Sequence, residues 1–133
     1  MLILPKNYRF KVLNALGQTI SAGNITVKCI RFNIDSTGAV VYEGSEATVL
    51  SNAGTLATAT YLAGTAQDNS TTKWLGGDFT FKVVAPASSS GPVTLFLERS
   101  SDGGTTFDDD GLGIPVARLD FTTSGTKVVT FSL

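Results

Sequence analysis

The chain has no histidine. That absence removes the commonest general base, the base of the Ser-His-Asp triad and the commonest metal ligand. Cysteine occurs once, as Cys29. An intramolecular disulfide and a cysteine-based metal site are therefore excluded, and in its apolar strand-like run the residue reads as a small buried hydrophobe. Charge is scarce: 16% of the 133 residues are Asp, Glu, Lys or Arg, against about 25% in an ordinary globular protein. Net charge is −1, so no long-range field favours nucleic acid or an anionic membrane, and neither is expected as a partner. Apolar runs are short, and none approaches the ~20 residues that span a bilayer. Met1–Leu4 is apolar but is neither preceded by basic residues nor long, and Pro5 ends it, so no secretory signal is expected.

What is present is strand-forming sequence with turn residues between. Hydrophobic residues make up 42% of the chain, enough at this length for a single domain with one two-layer core over residues 1–133. Asn7–Asn14 alternates Tyr8, Phe10 and Val12 against Arg9 and Lys11. Asn24–Ile34 carries Ile25, Val27 and Cys29 on one face. Its apolar set then continues at Ile30, Phe32 and Ile34, which predicts a β-bulge near Cys29–Ile30. Ser36-Thr37-Gly38 turns into a short strand at Ala39–Glu43. Within the Ala- and Thr-rich stretch Glu46–Gln67 only Ala57–Leu62 alternates, and its threonines favour strand over helix. Asp68–Gly77 reads as a surface loop holding the single Trp, Trp74. Strands follow at Asp78–Val84, from Val93, at Pro115–Phe121 and at Lys127–Leu133. Seven to eight short strands at hairpin spacing, with no long periodic helix, predict an antiparallel β-sandwich of immunoglobulin-like or jelly-roll type.

Charge is unevenly placed. Residues 1–34 hold Lys6, Arg9, Lys11, Lys28 and Arg31 and no acid, whereas 98–120 hold Glu98, Asp102, Asp108, Asp109, Asp110 and Asp120 against Arg99 and Arg118. The simpler reading is that the fold sets these ends side by side. The alternative is complementarity between neighbouring copies, which makes Lys6, Arg9 and Lys11 candidates for pairing with an acidic neighbour. The aromatics Tyr8 and Phe10 alternate with these cations and so face away from them, as core rather than as a base-stacking groove.

No nucleophile with an adjacent base is visible, and no cofactor site is expected. The consecutive acids Asp108, Asp109 and Asp110 lack an apolar pocket that would raise one pKa. They offer oxygen ligands, but without alternating ligand spacing or a distal Glu they make at most a weak calcium site. As the tip of a loop they are candidate contact residues, as are Lys73 and Trp74 in the Asp68–Gly77 segment.

The hairpin between Val93–Leu97 and Pro115–Phe121 carries the most specific motif. Ser100-x-Asp102-x-Gly104-x-Thr106-Phe107 resembles the Asp-box signature of sialidases and other β-propellers. The resemblance implies that Ser100, Asp102, Gly104 and Phe107 are structural, with the two polar side chains bonding the turn and the aromatic packed beneath it. A single copy, without the arginine set and tyrosine nucleophile of sialidases, implies a stable turn and no glycosidase. Beyond the motif, G-P-V-T-L-F-L-E-R-S-S-D-G-G-T-T-F-D-D-D-G and V-A-R-L-D-F-T-T-S-G-T-K-V-V-T-F-S-L resemble small virion proteins of tailed bacteriophages, over roughly residues 78–133. That resemblance implies a β-sandwich made in the host cytoplasm and built into the virion, with capsid or tail proteins and further copies of itself as partners. A capsid decoration (cement) protein comes first, a tail or neck component second. A carbohydrate-binding attachment module using Trp74, Tyr61 and Tyr42 is the third reading.

Overall fold

The computed structural model describes residues 4–107 and 113–133. The described residues form ten strands: β1 (Asn7–Asn14), β2 (Ile25–Ile34), β3 (Val40–Tyr42), β4 (Ala47–Ser51), β5 (Thr60–Ala63), β6 (Gln67–Asp68), β7 (Gly76–Ala85), β8 (Gly91–Arg99), β9 (Ile114–Phe121) and β10 (Gly125–Ser132). They make two antiparallel sheets. One runs β5–β1–β8–β9, with β6 sharing the β5 edge of β1; the other runs β10–β7–β2–β3, with β4 sharing the β3 edge of β2. The fold is an antiparallel β-sandwich.

Alternation explains the layers. On β1, Tyr8, Phe10 and Val12 are fully buried; on β7, Phe79, Phe81 and Val83 are too. Successive side chains of a strand point to opposite faces, so each set lines one wall of the core. The walls meet in an aromatic cluster. Phe10 lies 5.1 Å from Phe79 and 6.4 Å from Phe131, and Phe79 and Phe131 stack at 5.4 Å with their planes 14° apart. At the far end, Asn14 and Asn52 are buried but satisfied. Asn14 Nδ2 donates to the Gln18 and Leu56 carbonyls, and Asn52 Oδ1 accepts from the Ile25 amide.

Four features differ from the sequence expectation. Ten strands replace seven to eight because β4 and β6 are short and lie in the Ala-, Thr- and Ser-rich middle, where small side chains leave little periodicity. The strand expected at Ala57–Leu62 is instead β5 at Thr60–Ala63. The bulge is not at Cys29–Ile30: β2 pairs β7 without a break from Ile25↔Val83 to Phe32↔Gly76. The register shift lies against β4, between Val27 and Lys28, and it puts both Val49 and Leu50 in the core. Inward phase therefore continues from Cys29 to Arg31, and Ile30, Phe32 and Ile34 face outward. An arginine can occupy that inner position because Glu43 meets it at the sheet end, with Nε and Nη2 donating at 3.0 and 2.8 Å. Finally, β8 and β9 pair as the expected hairpin, but residues 100–113 separate them in sequence, more than a tight two-residue turn uses.

Replacing Phe10 by Ala should cost about 3–5 kcal/mol, since it empties a close-packed aromatic site. Val128→Ala on the exposed side of β10 should stay within about 0.5 kcal/mol of the parent. Urea unfolding midpoints at constant m-value compare the two.

Candidate interaction surface

Strand directions bring distant segments to one end of the sandwich. β1, β7 and β9 begin there, and β2, β8 and β10 end there. The same end thus carries Leu4–Lys6, the β2–β3 turn, the loop 69–75 and the turn 100–107. Lys6, Lys73 and Trp74, more than sixty residues apart in sequence, line one cavity of about 550 Å³ with Leu4, Asn69, Ser70 and Leu75. Asn69 shapes its wall: it is buried, its Nδ2 donates to the Trp74 carbonyl at 2.8 Å, and its Oδ1 accepts from the Trp74 amide at 2.7 Å. Trp74 is half-buried against the core, with the Arg31 guanidinium 6.0 Å from its ring. Deeper in, the Tyr8 hydroxyl is buried without a hydrogen-bond partner of good geometry. Burial raises its pKa, and the nearby Arg31 cation partly opposes the rise. Burial likewise pushes the Cys29 thiol up to about 11.

The turn after β8 is held by its own polar side chains. The Ser100 hydroxyl donates to Asp102 Oδ1 and accepts from the Gly104 amide at 2.8 Å. Asp102 Oδ1 also accepts from the amides of Thr105 and Thr106. Gly103 and Gly104 take φ of +79° and +90°, the left-handed region that a side chain disfavours. These bonds, that from the Thr106 hydroxyl first, hold the Asp102 carboxyl well below the usual carboxylate range although it is exposed. From there the chain folds back onto the outer face of β1 and β8. Phe107 is buried, its ring centre 4.2 Å from the Arg9 guanidinium. A Cβ on Gly113 would sit 2.7 Å from the Leu97 carbonyl oxygen and 3.1 Å from Glu98 Cγ, so the returning strand lies flush on β8.

Glu98 is what the sequence reading missed. Its side chain has no exposed surface, and it stands opposite Arg9 in the β1–β8 register. Arg9 Nε donates to Oε2 at 2.5 Å and Lys11 Nζ to Oε1 at 3.3 Å. A buried carboxylate needs such partners, because leaving water costs several kcal/mol. The signal was there: one acid directly after the apolar run Leu95–Leu97, and two cations spaced to share a strand face. Lys28 pairs with Glu46 at 3.1 Å and Arg31 with Glu43. The basic N-terminal quarter is thus largely neutralised within the chain.

Among the described residues, most of the exposed large apolar side chains lie on the β2–β3 hairpin. Ile30, Ile34, Val40, Val41 and Tyr42 are exposed, the last four at 46–54%. Phe32 and Tyr42 touch edge-to-face at 5.9 Å. Ile34 faces Val40 and Phe32 faces Tyr42, so these four share one face of the ribbon. Tyr42, Tyr61 and Trp74 do not assemble into a common aromatic platform: Tyr42 is on the hairpin, Tyr61 lies under Lys11 on the other sheet, and Trp74 lines the cavity. Asp108, Asp109 and Asp110 lie outside the described residues. Among the described residues, no group of three or more His, Cys, Asp or Glu is placed to hold a metal ion. No family model, no curated protein and no solved structure matches the chain.

Two consequences can be measured. Glu98→Gln leaves Arg9 and Lys11 facing a neutral amide and should cost about 2–4 kcal/mol, below the full penalty of a wholly buried pair because both cations reach solvent; chemical denaturation reads it. Asp102 binds protons less well folded than unfolded, so it contributes stability above about pH 4 that fades as pH falls toward its folded pKa. Asp102→Asn should therefore flatten the acid side of the stability–pH curve, measured as the urea midpoint at successive pH values below 5.

Proposed function

We propose that this chain is a non-enzymatic structural protein of a tailed-bacteriophage particle, foremost a capsid decoration protein that bridges and stabilises neighbouring capsid subunits. The observation that carries the assembly reading is the β2–β3 hairpin, where the exposed Ile34, Val40 and Tyr42 form one apolar face with Phe32. Contiguous exposed apolar surface on a small domain marks a place where something else docks. The likeness of the C-terminal part to small phage virion proteins supplies the context. The low charge content fits a protein whose surface meets other protein surfaces as well as water. Internal neutralisation of Arg9, Lys11, Lys28 and Arg31 moves the proposed contacts away from charge pairing and toward apolar burial.

A tail or neck position uses the same surface and differs in copy number: hundreds per particle for decoration, a few to a few dozen for tail or neck. The attachment-module reading has weaker support, because the three aromatics that would form its sugar platform lie on separate surfaces.

Particles lacking the protein should release DNA at a lower temperature than complete particles, and added protein should restore the difference. A Val40→Ser/Tyr42→Ser variant should keep its own melting temperature within about 3 °C, since both side chains are exposed, yet bind particles poorly. An unchanged DNA-release temperature would count against decoration.

A further inference from the structure

The sheet edges are not alike. β9 carries Pro115, Arg118 and Asp120, and Lys127 of β10 reaches across to the Asp120 carbonyl, so that side of the sandwich is guarded by charge and proline. On the other side, β5 and β6 are short and separate. β4 is bulged and pressed by Gly64, where a Cβ would lie 2.6 Å from the Val49 carbonyl oxygen. Such devices discourage pairing with another chain. β3 is short too, but it carries no charge, proline or bulge: it reads Val40-Val41-Tyr42 and pairs β2 without a register shift.

Its free hydrogen-bonding groups can be assigned. Asp35 N donates to Ala39 O and Glu43 N to Arg31 O. Hydrogen-bonded and non-hydrogen-bonded pairs alternate along an antiparallel ladder. Asn33 and Val41 are therefore bonded to each other, and the N–H and C=O groups of Val40 and Tyr42 point away from β2. Among the described residues no partner for these four groups is present.

We infer that β3 is the pairing edge for a second copy of this chain, joined antiparallel about a two-fold axis through Val41. Only a strand compatible with its own reverse can pair this way. In this register Val40 exchanges hydrogen bonds with Tyr42 of the second copy, and Tyr42 with its Val40. Val41 meets Val41 as a close non-hydrogen-bonded pair, and Ala39 stands opposite Glu43. Apolar faces apolar at all three strand positions, and like charges oppose nowhere. A strand serving only a foreign partner has no need of that self-compatibility. Pairing also joins the faces formed by Phe32, Ile34, Val40 and Tyr42 of both copies into one apolar strip. The pairing is read from the edge alone and stands or falls separately from the virion reading.

Cysteine cross-linking of the full chain tests it. A non-hydrogen-bonded pair sets its Cα atoms about 4.5 Å apart, within the ~4.4–6.8 Å that a disulfide spans. Native Cys29 is buried and does not compete. Under mild oxidation Val41→Cys should form covalent dimer at least about tenfold faster than Val40→Cys, one residue off the axis, or Thr123→Cys in the distant exposed turn, because pairing raises the local thiol concentration. Adding Val40→Lys to Val41→Cys should bring the rate down to that of Thr123→Cys, with thermal melts confirming that each variant folds. Dimer formation by Val41→Cys no faster than by Thr123→Cys at any protein concentration overturns the pairing and leaves the edge to a strand of another protein.

Discussion

Glu98 is the constraint from which much of the surface follows. A carboxylate with no exposed side-chain area must be ringed by donors, and strand register supplies them from β1 directly opposite. Holding Arg9 and Lys11 on that face gives Phe107 a cation to pack against, and Gly113 lies flush on β8 beside Glu98. The outer face of the first sheet around Glu98 is thereby covered by Phe107 and Gly113. The second sheet has no such cover at its β2–β3 end, and there the apolar residues stay exposed. One sheet face is finished internally and the other is left open.

The strands with clean two-residue periodicity were legible in the sequence: β1 at its observed bounds, and β7, β9 and β10 within a few residues. The same rule failed on β2 for a physical reason. From Ile30 onward apolar residues alternate with Arg31 and Asn33, and hydrophobicity alone puts the apolar set inside. Glu43, twelve residues away, reverses that by accepting the Arg31 side chain at the sheet end. Pairing at such a distance has no local signature. β4 went unseen because its register shift turns the consecutive Val49 and Leu50 both inward and breaks alternation, and β6 because it is only two residues long.

The candidate site was legible in parts but not as a whole. The polar bonds of the 100–107 turn run between residues close in sequence, and the Asp-box resemblance implied bonding of that kind for Ser100 and Asp102. That Lys6, Lys73 and Trp74 line one cavity follows from strand direction, which no local motif encodes. Arg9 and Lys11 looked like free cations because their counter-charge lies 89 and 87 residues further on.

Neutralisation and exposure belong together. A surface whose cations are bound to the chain's own acids cannot draw a partner by long-range charge, and its contacts must rest on shape, backbone hydrogen bonds and apolar burial. β3 offers two of these at once: free backbone groups at Val40 and Tyr42, and an apolar face made by their side chains with Phe32 and Ile34. An interface of three residues is weak by itself. On a repeating lattice, where neighbouring copies are already held close, each weak contact becomes effectively intramolecular and the sum becomes strong. A short unguarded edge can then be tolerated in the free protein, since only when copies are concentrated side by side does its pairing prevail.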